Sequence, residues 1–113
     1  MIQTMNKDPV IFALTNPDPE IDPVIAKRSG ARIIATGSYM YENKINNALV
    51  FPYLMRVILD KKIRKITLDL LLATAKAIAD TVPSKQLAYN HIMPEIGNKK
   101  IQHNISQALK KFK

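Results

Sequence analysis

The stretch from residue 10 to residue 36 limits the possible folds more than any other part of the chain. Val10-Ile11-Phe12-Ala13-Leu14 is a run of strand formers, apolar on both faces, as a buried parallel strand is. Asn16-Pro17-Asp18-Pro19-Glu20 ends it, because two prolines in three positions forbid further ladder pairing. Asp22 then offers an N-cap, Pro23 suits the first helical position, and Gly30 stands just past Ser29 as a stop. The pattern predicts a short helix over roughly 23–29. Arg32-Ile33-Ile34-Ala35-Thr36 follows as a second strand, closed by Gly37-Ser38. The link from Leu14 to Arg32 is too helical for a hairpin and long enough for a crossover, so a right-handed βαβ unit is expected. The fold class is α/β, with a partial parallel sheet (strands about 10–14 and 32–36) and a helix-rich C-terminal half.

That half reads as three helical stretches and a loop. Asn46–Asp60 is apolar nearly all round and is expected to be buried, with Pro52 breaking it or starting a new turn. Thr67–Val82 is amphipathic, with Leu68, Leu71, Leu72, Ala75, Ile78, Ala79 and Val82 forming one stripe. Thr67 is its cap, and Asp69 suits its positive end. Residues 83–98, with Pro83, Pro94 and Gly97, read as a loop. A last helix over about 99–112 sets Ile101, Ile105, Ala108, Leu109 and Phe112 on one face.

At 113 residues the chain has room for one domain. It has no cysteine, which excludes disulfide staples, thiolate metal sites and cysteine nucleophiles. The longest apolar stretch, Ala48 to Met55, is eight residues, against the about 20 that a membrane span needs. The first residues have no basic segment ahead of an apolar one, so no signal peptide is read, and a cytoplasmic protein is expected. The net charge of +8 is uneven: residues 1–22 carry Lys7 against Asp8, Asp18, Glu20 and Asp22, and all other basic groups lie downstream. Lys61-Lys62-Ile63-Arg64-Lys65 and Lys110-Lys111-Phe112-Lys113 are the densest clusters. Such a field attracts polyanions. The aromatics, however, do not interleave with the basic groups as a stacking platform requires, and no nucleic-acid motif is present. Nucleic acid is therefore not an expected partner.

Loops that leave parallel strands emerge at one sheet edge, where open α/β folds bind ligands. Two loops do so here, Asn16–Asp22 and Gly37–Asn47, and both are rich in amides and hydroxyls: Thr15, Asn16, Ser38, Asn43, Asn46 and Asn47. Asn16 precedes Pro17, which biases it toward extended backbone, and its amide can read a carboxamide or hydroxyl or simply open a turn. Asn46-Asn47 opens the next helical stretch, where one asparagine suffices for capping and helix N–H groups attract a carboxylate. His91 and His103 lack metal-ligand spacing. Asp18, Glu20 and Asp22 read as a proline turn and a cap. Gly30, Gly37 and Gly97 form no phosphate-binding fingerprint, and no triad of nucleophile, base and acid can be assembled.

At these crevice residues the sequence resembles the malic enzymes of the short bacterial and archaeal type. The likeness is carried by Ile11-Phe12-Ala13-Leu14, Asn16-Pro17 and Pro19-Glu20-Ile21. It continues through Gly30-Ala31, Ala35-Thr36-Gly37, Asn43, Asn46-Asn47 and Phe51-Pro52, and through Ile66 to Ala79 and Ile92-Met93-Pro94. It implies the C-terminal part of a Rossmann-like NAD(P)-binding domain, with residues 1–113 as a single, incomplete domain. It further implies NAD- or NADP-dependent oxidative decarboxylation of malate to pyruvate. Asn16 and Asn46 would serve the cofactor, and Asn16 and Asn47 the substrate; no catalytic residue and no metal ligand is assigned. A divalent metal (Mg or Mn) is expected only in the complete enzyme, with its ligands outside this chain. The expected partners are malate or pyruvate in that enzyme, and either its missing N-terminal part or a second copy of the chain. The isolated chain is expected to be inactive. The chain departs from the family pattern at Ser38-Tyr39-Met40, where Arg-Ser-Asp is usual, at Glu42, where Pro is usual, and at Tyr53, where Gly is usual. The alternative reading is a non-catalytic module that self-associates or docks on a partner.

Overall fold

A computed structural model of the chain describes residues 1–113 and resolves them into two compact units. The first comprises Met1–Asn46 with Leu87–Ile92, the second Asn47–Gln86 with Met93–Lys113. No helix is long and apolar enough to cross a membrane.

The first unit contains the expected βαβ element. Strand β1 (Val10–Ala13) pairs with β2 (Ile33–Thr36) in parallel, in the register Val10↔Ile33 to Ala13↔Thr36. Between them helix α1 spans Pro23–Arg28. Its sequence signals act as read. The Asp22 carboxylate accepts from the Val24 and Ile25 N–H groups at 2.7 and 3.4 Å, Pro23 occupies the first turn, and Gly30 follows Ser29 with φ +106°. The return segment after Gly37 docks on the end of β2: the Thr36 N–H donates to Asn43 O and the Ile45 N–H donates to Thr36 O. The expectation that β1 is covered on both faces does not hold. Ala13 is buried, but Val10, Phe12 and Leu14 are each about half exposed. The buried apolar residues of this unit are Ala13, Ala26, Ala31 and Ala35, all alanines.

The second unit holds three helices, α2 (Phe51–Lys61), α3 (Leu68–Ala79) and α4 (Lys100–Ala108). Leu49, Leu54, Val57, Ile63, Leu70, Ala77, Ile78, Ile101, Ile105 and Leu109 form its core. Two readings of the sequence are corrected here. The stretch 46–60 starts a new helix at its proline, as read, but it is not buried along its length. Asn47–Leu49 is a 3₁₀ turn, α2 begins at Phe51 with Pro52 in its first turn, and only Leu54 and Val57 are buried along it, with Phe51, Met55 and Leu59 exposed. In α3 the buried face is Leu70, Thr74, Ala77 and Ile78, whereas Leu68, Leu71 and Leu72 face solvent. Thr74 and Thr81 donate their hydroxyls to Leu70 O and Ala77 O at 2.8 and 3.0 Å, which lets threonine enter the core with its polar atom satisfied. Periodicity alone ranks threonine below leucine and rotates the stripe. Thr67 caps α3 by accepting from the Leu70 N–H, as read. On α4, Ile101, Ile105 and Leu109 are fully buried, as expected, Phe112 is half-buried, and Ala108 is exposed. Tyr53, one of the departures noted above, packs against the core edge of this unit.

Candidate functional site

The carboxyl ends of β1 and β2 meet at Gly37. Its N–H donates to Ala13 O at 3.3 Å, continuing the ladder one residue past the strands. A Cβ at this position would stand 2.5 Å from Leu14 O and 3.4 Å from the Asn16 side-chain nitrogen. Only a hydrogen allows the loop after β1 to lie so close, and this is why glycine is required at the point where the two strand-end loops touch.

Two of the three predicted asparagines converge on this peptide. Asn16 lies against Gly37 on one side, exposed, with a cis peptide bond to Pro17. Asn46 donates its side-chain Nδ2 to Gly37 O at 3.1 Å. The Tyr39 hydroxyl donates to Asn46 Oδ1 at 3.3 Å, so both ends of that amide are engaged and its orientation is set. Asn47 is the first residue of the second unit, exposed, in the 3₁₀ turn. Neither Asn46 nor Asn47 caps α2, whose N-cap is Val50 without a side-chain bond.

The loop after β1 is held from within. The Thr15 hydroxyl donates to Asp18 O at 2.7 Å, and the Thr15 N–H donates to both Glu20 carboxylate oxygens at 3.3 and 3.2 Å. Main-chain N–H groups, that of Glu20 itself and then that of Thr15, hold the Glu20 carboxyl below its ordinary value. Glu20 and Asp22 therefore have local tasks, and no group of three or more His, Asp or Glu residues is placed to hold a metal ion.

Asn43 belongs to the polar set read from the sequence, but it points inward. It is 7% exposed with φ +52°, a left-handed conformation that asparagine tolerates better than most residues. Its Nδ2 donates to Ile34 O at 2.9 Å and to Tyr89 O at 2.8 Å, and its Oδ1 accepts from the Ile92 N–H at 2.9 Å. Ser38 is also buried, its Oγ accepting from the Met40 N–H. A cleft of about 240 Å³ lies among α1, β2 and residues 40–43, lined by Val24, Ile34, Met40 and Tyr89. Lys27 Nζ stands 4.9 Å and Arg32 Cζ 5.7 Å from the centre of the Tyr89 ring. Asn16, Asn46 and Asn47 do not line it.

Sequence reading gives Gly37 the role of a strand stop and a place in the family likeness, and marks Tyr39 only as a departure from the family pattern; it assigns neither to the site. The signal for Gly37 is its place directly after a strand. For Tyr39 the departure is the one signal, because an exposed tyrosine in a loop has no periodicity.

The arrangement offers amide donors and acceptors at the carboxyl edge of a parallel sheet, with the loop backbone close behind them. Such an edge reads polar, uncharged groups of a ligand. Residues 1–112 match the family described as malic enzyme, NAD binding domain. The NAD-dependent malic enzyme of Geobacillus stearothermophilus is 42% identical over 108 residues, covering 96% of this chain and 22% of that protein. The bifunctional malic/malolactic enzyme of Bacillus subtilis is 36% identical over 98% of this chain and 27% of its own length. The crystal structure of NAD-dependent malic enzyme from Thermotoga maritima superposes with a TM-score of 0.87 at 41% identity, covering 99% of this chain and 29% of that one. That of malic enzyme from Pyrococcus horikoshii gives 0.88 at 42% identity over 96% and 24%. The chain thus spans between about a fifth and a third of the length of the relatives it matches. With a family match over residues 1–112 and a fold shared along nearly the whole chain, the chain belongs to the malic enzyme family, within its NAD-binding domain.

Proposed function

We propose that residues 1–113 are part of one NAD(P)-binding domain and furnish the strand-end crevice of an NAD- or NADP-dependent malic enzyme acting in the cytoplasm. The reaction is oxidative decarboxylation of malate to pyruvate. The observation that carries this reading is the convergence of Asn16 and Asn46 on Gly37 beyond two parallel strands. A nicotinamide dinucleotide, when bound, supplies the hydride acceptor. The chain's own residues bind and orient. Asn16, exposed and held by the Thr15–Glu20 turn, offers an amide to the carboxamide or to the substrate. Asn46, fixed at both ends, supports the cofactor, and Asn47 hydrogen-bonds a malate carboxylate or hydroxyl. The residues present do not fit a divalent metal, because Glu20 and Asp22 are committed to Thr15 and to α1, so no step is assigned to a metal here.

Titration of the chain with NADH and NADPH, read by nicotinamide fluorescence, tests the crevice; no saturable binding of either would overturn it. Malate-dependent reduction of NAD or NADP is expected to be absent from residues 1–113 alone and recovered on mixing with a chain that supplies the rest of the enzyme. In that reconstituted enzyme Asn47→Ala is expected to raise the KM for malate about tenfold or more, with little change in melting temperature. Equal loss of binding and stability would return Asn47 to a structural role.

A specific observation favours the second reading, an interaction module. Phe51 and Leu59 on α2 and Leu68 and Leu72 on α3 are 60–70% exposed. Exposed apolar side chains in such number mark association surfaces. Under that reading, sedimentation shows a concentration-dependent dimer or a complex, and mixing restores no activity.

A further inference from the structure

We propose that Asn43 is the positioning residue for the crevice, holding Asn46 in place although it touches no ligand itself. The inference rests on the proposed reading of Asn46 and goes beyond it by naming what sets that side chain's position.

Asn46 reaches Gly37 O only because residues 43–45 run parallel beside the end of β2. Two main-chain bonds hold that segment, Thr36 N–H to Asn43 O at 3.2 Å and Ile45 N–H to Thr36 O at 2.7 Å. A single bridge of this kind is a weak tether, since an isolated pair lacks the neighbours that make a ladder cooperative. The Asn43 amide adds three bonds, all between 2.8 and 2.9 Å, while 93% shielded from solvent. One goes to Ile34 O, a carbonyl on the β2 edge beside the return segment. The other two grip Tyr89 O and the Ile92 N–H, across the tight 88–91 turn in which Ala88 and His91 exchange main-chain bonds. The amide therefore ties β2, the return segment and the 89–92 segment together at one point. Both its donor protons are used, and its oxygen is occupied. Aspartate cannot replace it, because a carboxylate would set an oxygen against the Ile34 and Tyr89 carbonyls. The left-handed backbone at residue 43 adds a second demand that few side chains meet.

The test uses the ¹⁵N-labelled chain and two variants. Asn43→Gly accepts the left-handed backbone and deletes the amide, which separates hydrogen bonding from backbone strain. Asn43→Asp keeps the shape and the acceptor for the Ile92 N–H and loses both donors. Four signals are read: the Asn46 side-chain NH₂ resonances, hydrogen exchange at Ile45 and Ile92, the methyl resonances of Ala26 and Ala35, which are fully buried in the same unit, and NADH affinity. In both variants the Asn46 NH₂ shifts are expected to move to the solvent-exposed range and exchange at Ile45 to speed up at least tenfold, with exchange at Ile92 following in Asn43→Gly, which alone loses its acceptor. NADH affinity is expected to fall about tenfold, while the methyl resonances stay dispersed. Unchanged Asn46 resonances in both variants would overturn the inference whatever happens to NADH. So would collapse of the Ala26 and Ala35 methyl dispersion in both, which would make Asn43 a general folding residue of its unit. If the Asn46 resonances move but the parent chain never binds NADH or NADPH, the positioning role stands and the dinucleotide reading fails.

Discussion

The first unit buries alanines and the second buries leucines and isoleucines. In the sheet-bearing unit the shielded side chains are Ala13, Ala26, Ala31 and Ala35, together with the polar Thr36, Ser38 and Asn43. In the helical unit Leu49, Leu70, Ile101, Ile105 and Leu109 are shielded almost completely. Burial of a full leucine or isoleucine side chain contributes roughly 1.5–3 kcal/mol, whereas an alanine methyl contributes about a third as much. The helical unit is therefore held by packed volume. The sheet-bearing unit is held by directed bonds: the β1–β2 ladder, the Asp22 cap, the Thr15–Glu20 turn and the Asn43 amide. Hydrogen bonds fix geometry more sharply than apolar contact does, because they fail beyond a few tenths of an ångström. Asn16 and Asn46, at the strand ends, lie in the unit where such bonds dominate.

Four substitutions bear on this contrast. The largest effect is expected for Ile105→Ala, which removes a fully buried side chain from the helical core and should cost about 2–5 kcal/mol in chemical denaturation. A loss under 1 kcal/mol would mean that the core tolerates collapse and that volume is not what holds it. Next comes Gly37→Ala. Its Cβ would stand 2.5 Å from Leu14 O, so the loop carrying Asn16 must shift, at about 1–3 kcal/mol. Dinucleotide affinity is expected to fall more than stability does, and unchanged affinity would show that Asn16 has no part in binding. Lys62→Gly sharpens the contrast from the other side. Lys62 ends α2 in a left-handed conformation, φ +54°, so glycine there should raise stability by about 0.5–1 kcal/mol in the same denaturation experiment.

The smallest effect belongs to Glu20. Its folded pKa lies below the ordinary value, so its carboxylate bonds stabilise the turn at pH above that value and are lost as the pH falls through the folded pKa. Acid titration should shift the Thr15 amide resonance with a midpoint below that of an ordinary glutamate, and Glu20→Gln should abolish the transition. Glu20 is fully exposed, so global stability is expected to respond little.

The legible parts of the sequence were those governed by local chemistry. Proline pairs, an aspartate cap followed by Pro23, and a glycine past Ser29 act within a few residues, and the strands and α1 follow within a residue of where they were read. Strand-end spacing and family likeness both single out Asn16, Asn46 and Asn47 as candidates, and the structure brings the first two together at Gly37. The helix faces were less legible. Leu68, Leu71 and Leu72 carry more hydrophobicity than Thr74, yet Thr74 is inside, with its hydroxyl satisfied by Leu70 O. Asn43 and Asn46 look alike in sequence, three residues apart in one polar loop, and end with opposite tasks.

By itself the sequence determined the order of elements, their parallel pairing and the family to which the chain belongs, since turns, caps and apolar runs act between neighbours in the chain. Only the tertiary structure decided which face of α3 is covered, which asparagine turns inward, and that Asn16 and Asn46 meet at Gly37. Those outcomes depend on partners up to 49 residues away, such as Ile92 for Asn43, and on steric room that no local pattern encodes.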